Sequence, residues 1–177
     1  MVPRWTLTPT LSLEGRGSKT SAMPDTATLS TVFDAVIQPL TDAGVFASVS
    51  RTDAGVRCDA MHLEEECYYA AKLDDDGTLW AGWYSPDRWV SGSIEGDLVH
   101  TGDKIDDLLE EELVDQGLSI SIPLEHYRDD DKLFVFHGTL TLPPEVEQAT
   151  DTLVRVLLAF EACFVELGDM APGEEDQ

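Results

Sequence analysis

Positive charge is scarce in this sequence. Its 177 residues hold 11 Lys and Arg against 35 Asp and Glu, so the formal net charge at pH 7 is -24. A surface of that sign repels the phosphates of nucleic acids and anionic lipids, and we predict no direct binding to nucleic acid or to a membrane. Long apolar runs are also missing, so no membrane-spanning helix is predicted.

Cysteine is sparse and follows no known pattern. Cys58, Cys67 and Cys163 cannot all pair within one chain, and their spacing matches neither a zinc motif nor a C-x-x-C motif. We interpret them as buried thiols in a reducing compartment. The N-terminus lacks the apolar core of a signal peptide. Together these features predict a cytoplasmic protein.

Motifs that carry catalysis, metal binding or cofactor binding are missing from the sequence. The acidic triplets, of which Asp74–Asp76 is one, do not alternate as an EF-hand loop requires, and the four histidines form no H-E-x-x-H pattern. No G-x-S-x-G or phosphate-binding glycine motif occurs either. We therefore predict no catalytic residue, no metal site and no cofactor, and a protein that is not an enzyme. An enzyme with an unrecognised carboxylate site remains an alternative.

The first 27 residues differ in composition from the rest of the chain. They are rich in Thr, Ser, Pro and Gly without periodicity, and we predict a disordered extension over 1–27. Residues 7–17 resemble the translation of an interspersed repeat found between bacterial genes, which suggests Met23 as the true initiator. Residues 28–168 are predicted to form one domain, and 169–177 an acidic tail.

Hydrophobic periodicity predicts an α+β fold, with an antiparallel sheet flanked by helices. The order is a helix, several strands, a helix, two strands and a long helix. The Asp-Gly step at 76–77 lies between two apolar runs and indicates a hairpin. Residues 88–100 are compatible with an extended segment or a loop. The predicted elements are a helix from Leu29 to Gly44, strands at 45–51, 56–63, 67–73 and 78–84, a helix near 105–113, strands at 118–127 and 132–142, and a helix from Pro143 to about Leu167.

The closing helix has an unusually wide apolar surface. Its apolar residues cover an arc of roughly 200°, whereas a surface helix needs about 100°. The second flank packs either against another helix of the same chain or against a partner subunit. For the second case we predict a homodimer whose interface contains Val154, Leu158 and Val165.

Aromatic residues concentrate between positions 68 and 89, with few Lys or Arg among them, so a nucleic-acid platform is not indicated. Trp80 and Tyr84 share one face of a predicted strand and Trp83 lies on the other, which predicts a central strand covered on both sides. Core packing is the favoured role. The alternative is a docking groove in which Tyr69, Trp83 and Trp89 contact a partner.

The order of elements resembles the YbjN family, whose fold is shared with the type III secretion chaperones of the Tir-chaperone type. The resemblance covers roughly Leu29 to Leu167. It depends on that order, on the Asp-Gly hairpin after Cys67–Leu73, and on the ending Leu153-Val154-Arg155-Val156-Leu157-Leu158-Ala159-Phe160. It implies a non-enzymatic, dimeric protein that binds other proteins in a chaperone or regulatory role.

The favoured function is therefore a protein-binding module, chaperone-like or regulatory. An acidic surface attracts basic partners, and nucleic-acid-binding proteins supply many such surfaces. Edge strands of an antiparallel sheet can accept an extended partner segment. One alternative is an acidic mimic of nucleic acid that inhibits a DNA- or RNA-binding protein. The other is the enzyme with an unrecognised carboxylate site.

Overall fold

A computed structural model describes residues 22–61, 66–86 and 88–169, and it confirms the α+β class. Within these residues, an antiparallel sheet of six strands carries five helices on one side. The elements are α1 Thr26–Ala35, α2 Ile37–Ala43, β1 Phe46–Arg51, β2 Gly55–Ala60, β3 Tyr68–Leu73, β4 Leu79–Ser85, α3 Arg88–Thr101, α4 Ile105–Asp115, β5 Glu125–Arg128, β6 Phe134–Thr139 and α5 Val146–Asp169.

The strand order across the sheet is β1-β2-β3-β4-β6-β5, and every neighbouring pair is antiparallel. The predicted hairpin joins β3 to β4, with Gly77 at φ 85° in its turn. After β4 the chain passes through α3 and α4 before it returns as β5 and β6. The pairing of β6 with β4 joins residues farther apart in sequence than any other strand pair of this sheet, such as Trp80 and Thr139.

The main core lies between one face of the sheet and the helices. All five helices contribute residues to it, and α5 crosses the sheet at its centre, where Trp83 stacks on Phe164 with ring centroids 5.2 Å apart. On its other sides α5 contacts α1, α3 and α4. Arg155 also donates a hydrogen bond to the Gln116 carbonyl oxygen at the end of α4, at 2.9 Å. Helices of the same chain therefore cover flanks of the wide apolar arc.

The folded domain begins before residue 28, where the sequence predicted its start. Asp25 caps α1 by accepting a hydrogen bond from the Thr28 amide at 2.8 Å. Pro24 is buried, and Met23 packs against the core. The part of the predicted extension over 1–21 lies outside the described residues, as do 170–177 of the predicted tail.

The first predicted helix is two helices. Pro39 has no amide proton to donate to the carbonyl of Ala35, so the helix breaks at Val36 and continues as α2. Gly44, at φ 70°, ends α2 as predicted.

Two segments differ from the prediction. Residues 88–101 form α3 rather than an extended segment or loop, and Ile94 of this helix is fully buried. The strand predicted over 118–127 is only four residues long, Glu125–Arg128. Ahead of it, Ile122 is buried in the main core and packs so close to β6 that a Cβ on Gly138 would lie 2.5 Å from its Cγ2. Among the described helices, none has the length and apolar character that a membrane crossing demands.

Candidate functional site

The candidate site lies on the face of the sheet opposite the helices, which we call the outer face. Alternation along β3 and β4 places Tyr68 beside Tyr84 and Lys72 beside Trp80 on this face. Within the described part of the chain, the buried cluster on this face contains no helix residue, and the β5–β6 turn contributes Leu133 to it. The cluster consists of Tyr68, Ala70, Tyr84 and Val135. The outer face is therefore built from strand side chains and one turn.

Two cations of the chain lie against tyrosine rings in the middle of the outer face. The Arg57 guanidinium carbon lies 3.9 Å from the Tyr68 centroid, and Lys72 Nζ lies 3.8 Å from the Tyr84 centroid. The two tyrosine rings stack on each other at 5.0 Å with an interplanar angle of 9°. Burial lowers the pKa of Lys72 from its ordinary value, against the opposing effect of nearby Asp129. Both cations thus cover aromatic surface that would otherwise face water.

His137 connects three aromatic side chains of the outer face. Its Nδ1 lies 3.4 Å from the Tyr84 hydroxyl, and its Nε2 lies 3.2 Å from the Tyr127 hydroxyl. Trp80 stacks on the imidazole with ring centroids 4.1 Å apart. This arrangement requires glycine at position 82, since a Cβ there would lie only 2.4 Å from the His137 Cβ. Burial lowers the pKa of His137, while Glu125 opposes that shift.

A recess of about 140 Å³ opens beside this network. Hydroxyl, ammonium, imidazole and carboxylate groups converge on it around an aromatic wall. The indole Nε1 of Trp80 is buried and has no hydrogen-bond partner within the described residues. The recess is lined by Lys72, Asp74, Trp80, Tyr84, Tyr127, Asp129 and His137.

The charge of the outer face differs from that of the whole chain. Its strand residues include the cations Arg57 and Lys72 and the carboxylates Asp59 and Glu125, which balance each other. Asp59 is held by Arg57 Nε at 2.7 Å. Six further carboxylates lie in the adjoining turns, at 74–76 between β3 and β4 and at 129–131 between β5 and β6. An aromatic centre of balanced charge is therefore bordered by two carboxylate-rich turns.

The structure places two of the three aromatic residues of the predicted docking groove in the core. Tyr69 and Trp83 are 0 % exposed and belong to the core on the helix side, so they are not available to a partner. Trp89 lies in α3, and its side chain is outside the described residues. The sequence did contain a signal for the outer face, namely the shared strand face of Trp80 and Tyr84. We interpreted that pattern as a strand covered on both sides, whereas helices cover one side only among the described residues.

The residues of the predicted dimer interface are half-buried. Val154 and Leu158 pack against the core of their own chain. Val165 lies near the end of α5. The homodimer stays a prediction.

A second, smaller cavity of about 80 Å³ lies where α3, α4 and α5 meet. Burial and the neighbouring Glu166 raise the pKa of Glu112, and burial raises that of Cys163 to about 12, so this thiol is protonated at neutral pH. The three cysteines are buried thiols, as predicted. Across the described ranges, no group of three or more His, Cys, Asp or Glu side chains is placed to hold a metal ion.

Comparison of the chain with protein-family models, with curated proteins and with solved structures finds no match in any of the three. The resemblance to the YbjN family stays a prediction that depends on the order of elements.

Proposed function

We propose that this protein is a non-enzymatic, cytoplasmic protein-binding module, chaperone-like or regulatory, and that it docks a basic protein on its outer face. One observation carries the proposal: an aromatic centre of balanced charge lies on the face that no described helix covers, and it is bordered by acidic turns. Protein interfaces typically combine an aromatic core that is poor in charge with a polar rim. Here the rim is negative, so the complementary partner is positive at the same positions.

The half-exposed Tyr127 gives the outer face an accessible aromatic anchor. It is 43 % exposed, and its hydroxyl lies 3.2 Å from His137 Nε2. Tyrosine is enriched among the residues that dominate binding energy at interfaces. The strands β1 and β5 form the two edges of the sheet, so a partner segment that docks beside Tyr127 could also pair with β5, as strand addition requires.

Affinity capture with tagged protein tests this proposal when two matched variants are compared. Tyr127→Ala removes an exposed aromatic side chain from the outer face, and Val114→Ala removes a 59 % exposed valine from α4 on the helix side. We expect Tyr127→Ala to lose captured proteins that the wild type and Val114→Ala both retain. Identical sets of captured proteins for the two variants would contradict the proposal.

Salt separates this function from the acidic mimic. Binding that depends mainly on the net charge of the chain collapses when salt rises from about 0.05 M to 0.15 M, because the Debye length shortens. Docking through an aromatic centre retains much of its affinity over that range. Capture that is lost at the higher salt, and is insensitive to Tyr127→Ala, would favour the mimic.

A further inference from the structure

We propose that the recess on the outer face receives one arginine side chain of the partner protein. This inference rests on the proposed function and names the group that the outer face recognises. The volume of about 140 Å³ suits a single side chain, since pockets for small-molecule ligands typically span about 300–1,000 Å³.

The charges around the recess favour a cation. Asp74 and Asp129 line it, and Lys72 is the one cation of the chain among the described lining residues. Glu125 adds a further carboxylate, whose Oε2 lies 4.0 Å from His137 Nε2. These three carboxylates outnumber the single ammonium, which lies over the Tyr84 ring at 3.8 Å, so two carboxylates are left in excess for an incoming positive group. This excess of negative charge attracts a cation, which need not be a metal ion.

The aromatic groups point to the same chemistry. On the outer face, Tyr68 and Tyr84 each lie under a cation of this chain. In the described part of the chain, no Lys or Arg lies over Trp80 or Tyr127, although both line the recess. Indole is the ring that binds cations best. An arriving cation would therefore repeat at Trp80 and Tyr127 the contact that Arg57 and Lys72 make at the neighbouring rings.

Arginine fits this site better than lysine. Its planar guanidinium stacks on aromatic rings and donates several hydrogen bonds in fixed directions, whereas the lysine ammonium is more strongly hydrated. Asp74 and Asp129 supply carboxylate oxygens that can accept those hydrogen bonds. The Tyr127 hydroxyl, which lies 3.2 Å from His137 Nε2, supplies a further oxygen to the recess.

The test uses NMR titration of the full chain, labelled with nitrogen-15, with N-acetyl-arginine amide as the probe. The indole N–H signal of Trp80, assigned with a Trp80→Phe variant, reports on the recess. We expect the arginine probe to shift this signal and N-acetyl-citrulline amide, its neutral analogue, to leave it in place. Equal shifts with both probes would overturn the proposal, because the recess would then not recognise positive charge.

A matched pair of double variants locates the effect. Asp74→Asn combined with Asp129→Asn should raise the Kd of the arginine probe about three- to tenfold. Asparagine at 129 retains an oxygen to accept the hydrogen bond from the Leu133 amide, so the turn is preserved. Asp107→Asn combined with Asp115→Asn removes the same charge from exposed positions of α4 and should change the Kd less than twofold. Equal losses in both double variants would mean that only the net charge attracts the probe, and would overturn the proposal.

Failure here is distinguishable from failure of the proposed function. If the arginine probe does not bind but Tyr127→Ala still loses captured proteins, the outer face docks its partner through other groups and only this inference is wrong. If the probe binds as expected while capture is insensitive to Tyr127→Ala, the recess exists but docking on the outer face is wrong.

Discussion

His137 is the residue on which the outer face depends most. It contacts two tyrosine hydroxyls and stacks on Trp80, and it is 8 % exposed. Lys72 and the carboxylates Glu125, Asp74 and Asp129 act on its titration, but burial is the largest cause and lowers its pKa below the ordinary value of 6.5. The folded protein therefore favours neutral imidazole at this position.

This depressed pKa predicts a pH-dependent stability. As pH falls below about 6.5, His137 takes up a proton in the unfolded chain before it does so in the folded one, so the free energy of unfolding decreases until the folded pKa is reached. We expect the Tm of the wild type to fall more steeply between about pH 7.5 and 5.5 than that of His137→Gln. Carboxylates and the other histidines contribute to both proteins alike, so equal slopes would mean that His137 titrates normally in the fold.

Gly82 is the second residue on which the site depends. In Gly82→Ala the new Cβ would lie 2.4 Å from both the Phe136 carbonyl oxygen and the His137 Cβ, so β6 must move away from β4. Overpacking of this kind costs about 1–3 kcal/mol, which a urea unfolding curve measures. Gly92→Ala in α3 is the control, since nothing lies within 4 Å of its new Cβ, and it should gain up to about 1 kcal/mol. A tolerated Gly82→Ala would show that the strand spacing is not constrained there.

At the scale of elements, the wide apolar arc of α5 packs both on the sheet and on other helices. One flank packs on the sheet through residues such as Phe164, and others pack on α1, α3 and α4. The sequence left the second flank either to another helix of the same chain or to a partner subunit. The contacts of α5 with α1, α3 and α4 favour the first alternative. A dimer interface at Val154, Leu158 and Val165 would have to use the part of these half-buried side chains that remains exposed.

Light scattering tests the homodimer directly. The prediction requires a mass of about 39 kDa at micromolar concentration, twice the 19.5 kDa of one chain. Val165→Glu should then shift the mass towards 19.5 kDa, while Val114→Glu on exposed α4 should leave it unchanged. Leu158→Glu is less informative, since Leu158 packs against the core and its loss would also reduce stability. A wild-type mass of 19.5 kDa would show that the apolar arc of α5 is covered by elements of the same chain.

At the scale of the whole molecule, the position at which the fold begins can be tested by deletion. The sequence predicts no contribution from the first 27 residues, whereas Pro24 is buried and Asp25 caps α1. Deleting 1–21 should leave the Tm unchanged. Deleting 1–25 also removes the cap and the contact of Met23 with the core, which costs about 1 kcal/mol or more and should lower the Tm by about 2–4 °C. A loss of several degrees in the shorter deletion would mean that the extension docks on the domain.

The sequence by itself determined the fold class and most of the elements. Alternation and the Asp-Gly turn located β3 and β4, and the apolar arc located α5, because these patterns reflect burial that is periodic along the chain. Gly44 ended α2 for a local reason, since few other residues adopt its backbone angles. Each of these features is set by residues close together in sequence.

The tertiary structure decided the rest. Residues 88–101 include Gly92 and Gly96, which are poor helix formers, and the helix α3 is stabilised by burial of Ile94 and by contact with α5. The outer face likewise joins β2, β3, β4, β5 and β6, and the recess brings Lys72 to residues more than 50 positions away. Alternation showed that Tyr69 and Tyr68 point to opposite faces, but only the tertiary structure decided which of the two faces the helices cover. Periodicity along one strand carries no information about which side a distant helix will cover.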